Sequence, residues 1–158
     1  MRTVYALLAL AIGLIVPLQA AVNNQLKITI GGSTVMAALV SFACGTVTLA
    51  LVALLVQEKW GGLAQVAQAP WWQLTGGTMG ALFVFGTTLL APRLGFTVMI
   101  ALIIGGQTFT ALAFDRIGFL GVPVRELTTP RAIGALLTVI GVLLVNFGDR
   151  VEGFVGRN

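Results

Sequence analysis

The chain has no histidine and a single cysteine, Cys44, in 158 residues. Histidine is the commonest metal ligand and the commonest general base, so its absence argues against a zinc site or a serine–histidine triad. A lone cysteine excludes an intrachain disulfide framework. Charge is scarce as well: Asp, Glu, Lys and Arg make up 9% of the chain, where soluble domains average about 25%. The net charge of +4 comes from scattered residues. There is no basic run of the kind that nucleic-acid binding needs. No internal repeat is visible. What fills the chain instead is apolar: hydrophobic residues are 58% of it. A chain of this length forms one unit, and this composition makes it a membrane one.

The few charges act as punctuation. Uncharged stretches cover residues 3–26, 28–57, 60–92, 94–114 and 132–148. A membrane helix needs about 20 apolar residues, within a range of about 17–25. Each stretch therefore holds one helix, and none comfortably holds two. The expectation is an all-α integral membrane protein with five transmembrane helices, at about 4–25, 33–56, 70–91, 95–115 and 130–147. Together they form a single transmembrane domain over 1–148. A polar, mobile tail is expected over 149–158. Arg2 before an apolar run resembles a secretory signal peptide, but the run is long and a small-x-small cleavage site is missing near Gln19-Ala20. The segment is read as a retained helix.

Local signals mark the boundaries. Gly31-Gly32 breaks the chain after helix 1, and Ser33 or Thr34 can cap helix 2. Glu58-Lys59-Trp60-Gly61-Gly62 reads as an interfacial loop, and 63–69 is too short to span. Pro70 is expected to start helix 3, with Trp71 and Trp72 at the headgroup level. Ala91-Pro92-Arg93 ends it. Helix 4 reaches Asp115, a loop follows over 116–129, and Pro130 opens helix 5. An odd number of spans puts the two termini on opposite membrane faces.

The most informative stretch is Pro17-Leu18-Gln19-Ala20-Ala21-Val22-Asn23-Asn24-Gln25. It puts a proline and four amides inside a segment that crosses a membrane. Polar groups in hydrocarbon cost free energy unless something satisfies them. Pro17 has no N–H, so the carbonyl of Gly13 loses its helical partner. Helix 1 is expected to kink or open between Gly13 and Pro17 and to be able to move there.

Few polar residues lie inside the spans. Gln19 and Asn23 are four apart on helix 1. Gln107 lies near the middle of helix 4, with Thr110 one turn on and Phe114 completing that stripe. Gln19, Asn23 and Gln107 are the candidate solute-binding residues, with Ser41 and Thr110 as weaker contributors. The alternative is that these amides only bond helices to one another, at about 0.6–2 kcal/mol each. No carboxylate lies in the middle of a helix, whereas proton-driven pumps usually carry a titratable group at membrane depth. Coupling would need Asp115 at a water-filled vestibule, an ion held by backbone carbonyls, or no coupling at all. Neither a metal nor a cofactor is expected.

Small residues recur at packing intervals: Ala37, Ser41 and Gly45 on helix 2, Gly76 and Gly80 on helix 3, and Gly134, Gly141 and Gly148 on helix 5. Close approach over small residues drives helix association in lipid. The helix 5 stripe is the candidate subunit contact, because a terminal helix is freest to face outward.

Several of these residues fall into one ordered pattern. Pro17-x-Gln19-Ala20-x-x-Asn23-x-x-Leu26 is followed by Ser41-Phe42-x-x-Gly45, then by Pro70-Trp71-Trp72 with Gly76-Gly77-x-x-Gly80. Ala91-Pro92-x-Leu94-Gly95, Gly106-Gln107 and Asp115-x-x-Gly118 complete it. The pattern covers nearly the whole chain and resembles the YdcZ-like family of the drug/metabolite transporter superfamily. That resemblance implies a bacterial inner-membrane protein of about five helices, similar in plan to small multidrug resistance transporters. Those transporters carry a glutamate in helix 1, where this chain has Gln19 and Asn23. Proton-coupled export of cationic drugs is therefore not carried over.

The expected function is transport of a small neutral or zwitterionic solute by alternating access. The alternative is a non-transporting membrane subunit that assembles with or stabilises a partner. An enzyme is not expected, since no nucleophile–base pair or metal cluster is visible. The expected partners are the solute, the lipid bilayer and a second copy of the chain. In a five-helix topology Arg2, Lys59, Arg116, Arg125 and Arg131 fall on one side, and Lys27, Arg93, Arg150 and Arg157 on the other. That balance sets orientation weakly under the positive-inside rule. Two copies inserted oppositely, as an antiparallel homodimer of ten helices, would reproduce the inverted repeat that larger transporters hold in one chain. The resemblance points the same way, since relatives of this kind include dual-topology forms.

Overall fold

A computed structural model describes the backbone of residues 2–155 and the side chains of residues 3–148. The described residues are helical and contain no strand. Five α-helices follow one another: α1 (Arg2–Thr29), α2 (Thr34–Leu55), α3 (Thr75–Leu94), α4 (Phe96–Ile117) and α5 (Thr129–Val155). Each contains a segment long and apolar enough to cross a membrane. Short 3₁₀ segments lie at Trp60–Gln68, Trp71–Leu74 and Phe119–Gly121. The chain divides into two compact units, residues 1–93 and 94–158.

In the first unit α1 packs along α2. The turn between them follows from its two glycines. Gly31 and Gly32 have φ of 84° and 90°, left-handed values that other residues adopt at a cost. Gly32 N–H donates to the Lys27 carbonyl at 2.8 Å and Gly31 N–H to that of Ile28 at 3.3 Å, the pair of bonds that closes a Schellman C-cap. Ser33 then caps α2, its Oγ accepting from Met36 N–H at 3.2 Å. Across Pro17 the chain stays helical, and α1 is unbroken from end to end. The expected opening between Gly13 and Pro17 is not seen. A single lost N–H leaves the rest of the hydrogen-bond ladder to hold the helix together.

Helix α3 starts later than Pro70. Pro70-Trp71-Trp72-Gln73-Leu74 makes a 3₁₀ turn, with Gln73 N–H on the Pro70 carbonyl at 2.9 Å. The α-helix begins at Thr75, whose hydroxyl donates to the Trp72 carbonyl at 2.6 Å. Gly76 and Gly77, poor helix formers, follow at once, and tighter 3₁₀ turns are frequent at helix starts. At the other end the helix runs past Ala91 through Pro92 to Leu94. The Arg93 guanidinium donates to the Leu89 carbonyl at 2.6 Å there. Gly80 lies against Phe42 of α2: a Cβ on it would sit 3.2 Å from the ring.

In the second unit α4 packs along α5. Gly105 makes room for it, since a Cβ there would lie 3.3 Å from Val142 Cγ2. Helix α4 ends on Gly118, in the left-handed region, and a Cβ at that position would lie 2.8 Å from Val124. The following loop folds back on the helix end. Phe119 stacks on Phe114 at 4.3 Å between ring centroids, and Arg125 N–H donates to the Asp115 carbonyl at 2.7 Å. The Asp115 carboxylate faces Arg131, on the first turn of α5, at 3.8 Å. Helix α5 does not stop near Phe147. It continues to Val155, through seven residues of the segment expected as a tail.

The buried apolar residues are mostly small, among them Ala20, Ala37, Ala38 and Ala91. Large apolar side chains face outward instead, Leu14 at 68% and Leu49 at 71% exposure. This is the arrangement lipid favours: hydrocarbon solvates leucine as well as a protein core does, while small residues let backbones approach.

Candidate functional site

Asn23 is the most unusual polar group among the described residues. It is 3% exposed, next on its face to Ala20 at 1%. Its Nδ2 is buried and has no hydrogen-bond partner among the described residues. An unsatisfied buried donor costs about 1–3 kcal/mol. The inward face of α1 runs through Val16, Ala20, Asn23 and Lys27, each half-buried or buried. These positions are three or four apart, which stacks them on one side of a helix.

Gln19 is exposed in the protomer. It shares an edge with Asn23, but the line from 19 to 23 is skewed against the inward stripe, whose centre is Ala20. Ser41 of α2 is half-buried. Within the first unit no hydrogen bond joins Gln19, Asn23 and Ser41 to one another. A groove of about 330 Å³ between α2 and α3 is walled by Leu39, Phe42, Thr78 and Phe85, and none of the candidate residues lines it.

In the second unit Gln107 and Thr110 are both exposed. The Thr110 hydroxyl donates to the Gly106 carbonyl in its own helix at 3.0 Å, which leaves its lone pairs available as acceptors. Gly134 and Gly141 are exposed on α5, and a Cβ on Gly134, Gly141 or Gly148 would meet nothing within 4 Å. A Cβ at any of the three positions would thus meet no described neighbour. Among the described residues no group of three His, Cys, Asp or Glu side chains is placed to hold a metal ion.

Three polar residues escaped the reading of the sequence. Thr87 and Thr88 of α3 are buried, and both hydroxyls donate to the Val84 carbonyl, at 3.1 and 2.8 Å. Asn146 of α5 is half-buried, its Nδ2 donating to the Val142 carbonyl at 2.7 Å. All three satisfy themselves within their own helix, so nothing in their spacing marks them out. The one available signal was a polar pair, or a lone amide, inside an apolar run.

Comparison with known proteins bears on the whole chain. The chain matches no curated protein and no solved structure. A family model described as "Putative inner membrane exporter, YdcZ" matches residues 4–144, which takes in α1 through most of α5. The match agrees with the ordered motifs from Pro17 to Gly118 and with five membrane-length helices. The chain therefore belongs to the YdcZ family of inner-membrane exporters, as a multi-pass membrane protein of transporter class.

Proposed function

We propose that the protein moves a small neutral or zwitterionic solute across the inner membrane by alternating access. Gln19, Asn23 and Gln107 supply amide contacts to the solute in this reading, with Ser41 and Thr110 as lesser partners. The observation that carries it is the buried, unpartnered Nδ2 of Asn23 in an apolar span. Asn146, Thr87 and Thr88 are also polar and sit in spans, yet each is satisfied by its own helix. A structural amide would be expected to do the same. An amide that binds a passing solute must keep a donor free, which favours a solute bearing an acceptor oxygen.

The charges support a neutral or zwitterionic cargo. Asp115, the acidic side chain in the last turn of α4, faces Arg131 at 3.8 Å, and no described carboxylate lies in the middle of a span, where a proton- or cation-coupled carrier commonly keeps one. The family description supports outward movement as the direction to test first. Two chains in opposite orientation would complete the path, and the open glycine face of α5 supplies a surface on which they can meet.

The test is reconstitution in liposomes, with uptake and efflux followed over a panel of neutral, zwitterionic and cationic solutes. Gln19→Ala and Gln107→Leu are expected to lower transport by about tenfold, the factor that about 1.4 kcal/mol of lost contact corresponds to. Both residues are exposed in the protomer, so folding is expected to survive. Normal rates in both variants would end the assignment. Absence of any transport by wild type, with a partner protein retained on purification, would favour the non-transporting subunit.

A further inference from the structure

A groove of about 490 Å³ lies between α4 and α5 at their loop end. Its walls are two helical stripes. Phe109, Ala113 and Arg116 line it from α4, and Ala132, Ala135 and Val139 from α5. Each set is spaced at intervals of three or four, so each runs straight along its helix. From Arg116 down to Phe109 is two turns, or about 10 Å at 1.5 Å per residue. Leu127 of the loop also lines it.

The groove has a charge at one end and none at the other. Arg116 is the one charged residue that lines it, and it stands where α4 leaves the apolar span. Arg131 is occupied by Asp115 and by the Glu126 carbonyl. No ion pair engages Arg116 among the described residues. Alanines at 113, 132 and 135 leave a slot with room for a chain of methylene groups. A cation at the membrane surface, over an apolar slot running into the hydrocarbon, has the layout of a phospholipid turned inside out.

We propose that this groove binds an anionic phospholipid, with its phosphate on Arg116 and the upper part of one acyl chain between α4 and α5. Charge complementarity selects the headgroup, and the two apolar stripes hold the chain at the depth where lipid tails begin. A zwitterionic phospholipid brings the same chain but a headgroup with its own cation, which repels Arg116. Phosphatidylglycerol is therefore favoured over phosphatidylcholine. A basic side chain near the surface of an anionic membrane contributes a factor of about five in binding. None of the candidate solute residues lines this groove, so the proposal holds or fails independently of them.

The experiment is native mass spectrometry of the full-length protein, delipidated in detergent and titrated with phosphatidylglycerol or phosphatidylcholine of identical chains. Wild type is expected to retain phosphatidylglycerol about fivefold better. Arg116→Gln, at an exposed position, is expected to bring the two lipids level. Arg125→Gln, which leaves the groove intact, should preserve the preference. Ala113→Phe adds a ring to the exposed side of the slot and is expected to weaken both lipids alike. An unchanged preference in Arg116→Gln overturns the proposal. So does a disulfide joining two copies through Leu136→Cys, in a Cys44→Ala background, with no lipid retained. That result would make the groove a protein–protein contact.

Discussion

Replacing Asn23 separates stability from function. In the described conformation its Nδ2 is buried without a partner, a state that costs about 1–3 kcal/mol. Asn23→Val removes the amide and keeps a side chain of similar bulk, so that cost disappears. Valine in place of asparagine changes helix propensity little, at most about 0.5 kcal/mol. The net expected gain is about 0.5–2.5 kcal/mol. For a chain of this size that corresponds to a rise of about 1–10 °C in melting temperature. Heating purified protein in detergent and following the folded peak by fluorescence-detected size exclusion measures it. Transport by the same variant is expected to fall about tenfold or more, since a donor to the solute is gone. The opposite signs are the point, because polar groups kept for function commonly weaken the fold that holds them. A variant less stable than wild type would show that the amide bonds helices together. A variant that is more stable and transports normally would show that Asn23 never meets the solute.

Two further perturbations address assembly. Gly141→Leu puts its side chain where a Cβ meets no atom of the same chain within 4 Å. If two copies meet on this face as proposed, the chain should stay folded while their association, measured by light scattering in detergent, weakens by about 1–3 kcal/mol, the usual cost of overfilling a packed contact. An unchanged dimer would place the contact elsewhere. For topology, Asn158→Cys in a Cys44→Ala background is probed with an impermeant thiol reagent on intact cells at native expression. Dual insertion predicts labelling of about half the molecules, as the weak charge bias implies, and all-or-none labelling would rule it out.

Five membrane helices were legible in the spacing of charges, because a bilayer of fixed thickness demands uninterrupted apolar stretches of fixed length. The glycine pair at 31–32 and the Ser33 cap were legible because both act through local backbone geometry. The start of α3 was not: whether Pro70-Trp71-Trp72 begins an α-helix or a 3₁₀ turn depends on a small balance among weak formers. The continuation of α5 beyond Phe147 was masked by the polar residues that follow, which mark the edge of a membrane but not the end of a helix. Pro17 suggested a kink or opening, and the segment stays helical across it. For the candidate site, composition and spacing supply the inventory: a handful of amides in apolar spans, with Gln19, Asn23 and Gln107 among them. Which of them is enclosed depends on packing between helices. It buries Asn23 and leaves Gln19 in the open. Residues four apart on a helix differ by about 40° around its axis, and it is the packed neighbours, absent from any reading of periodicity, that choose which side of that angle is closed.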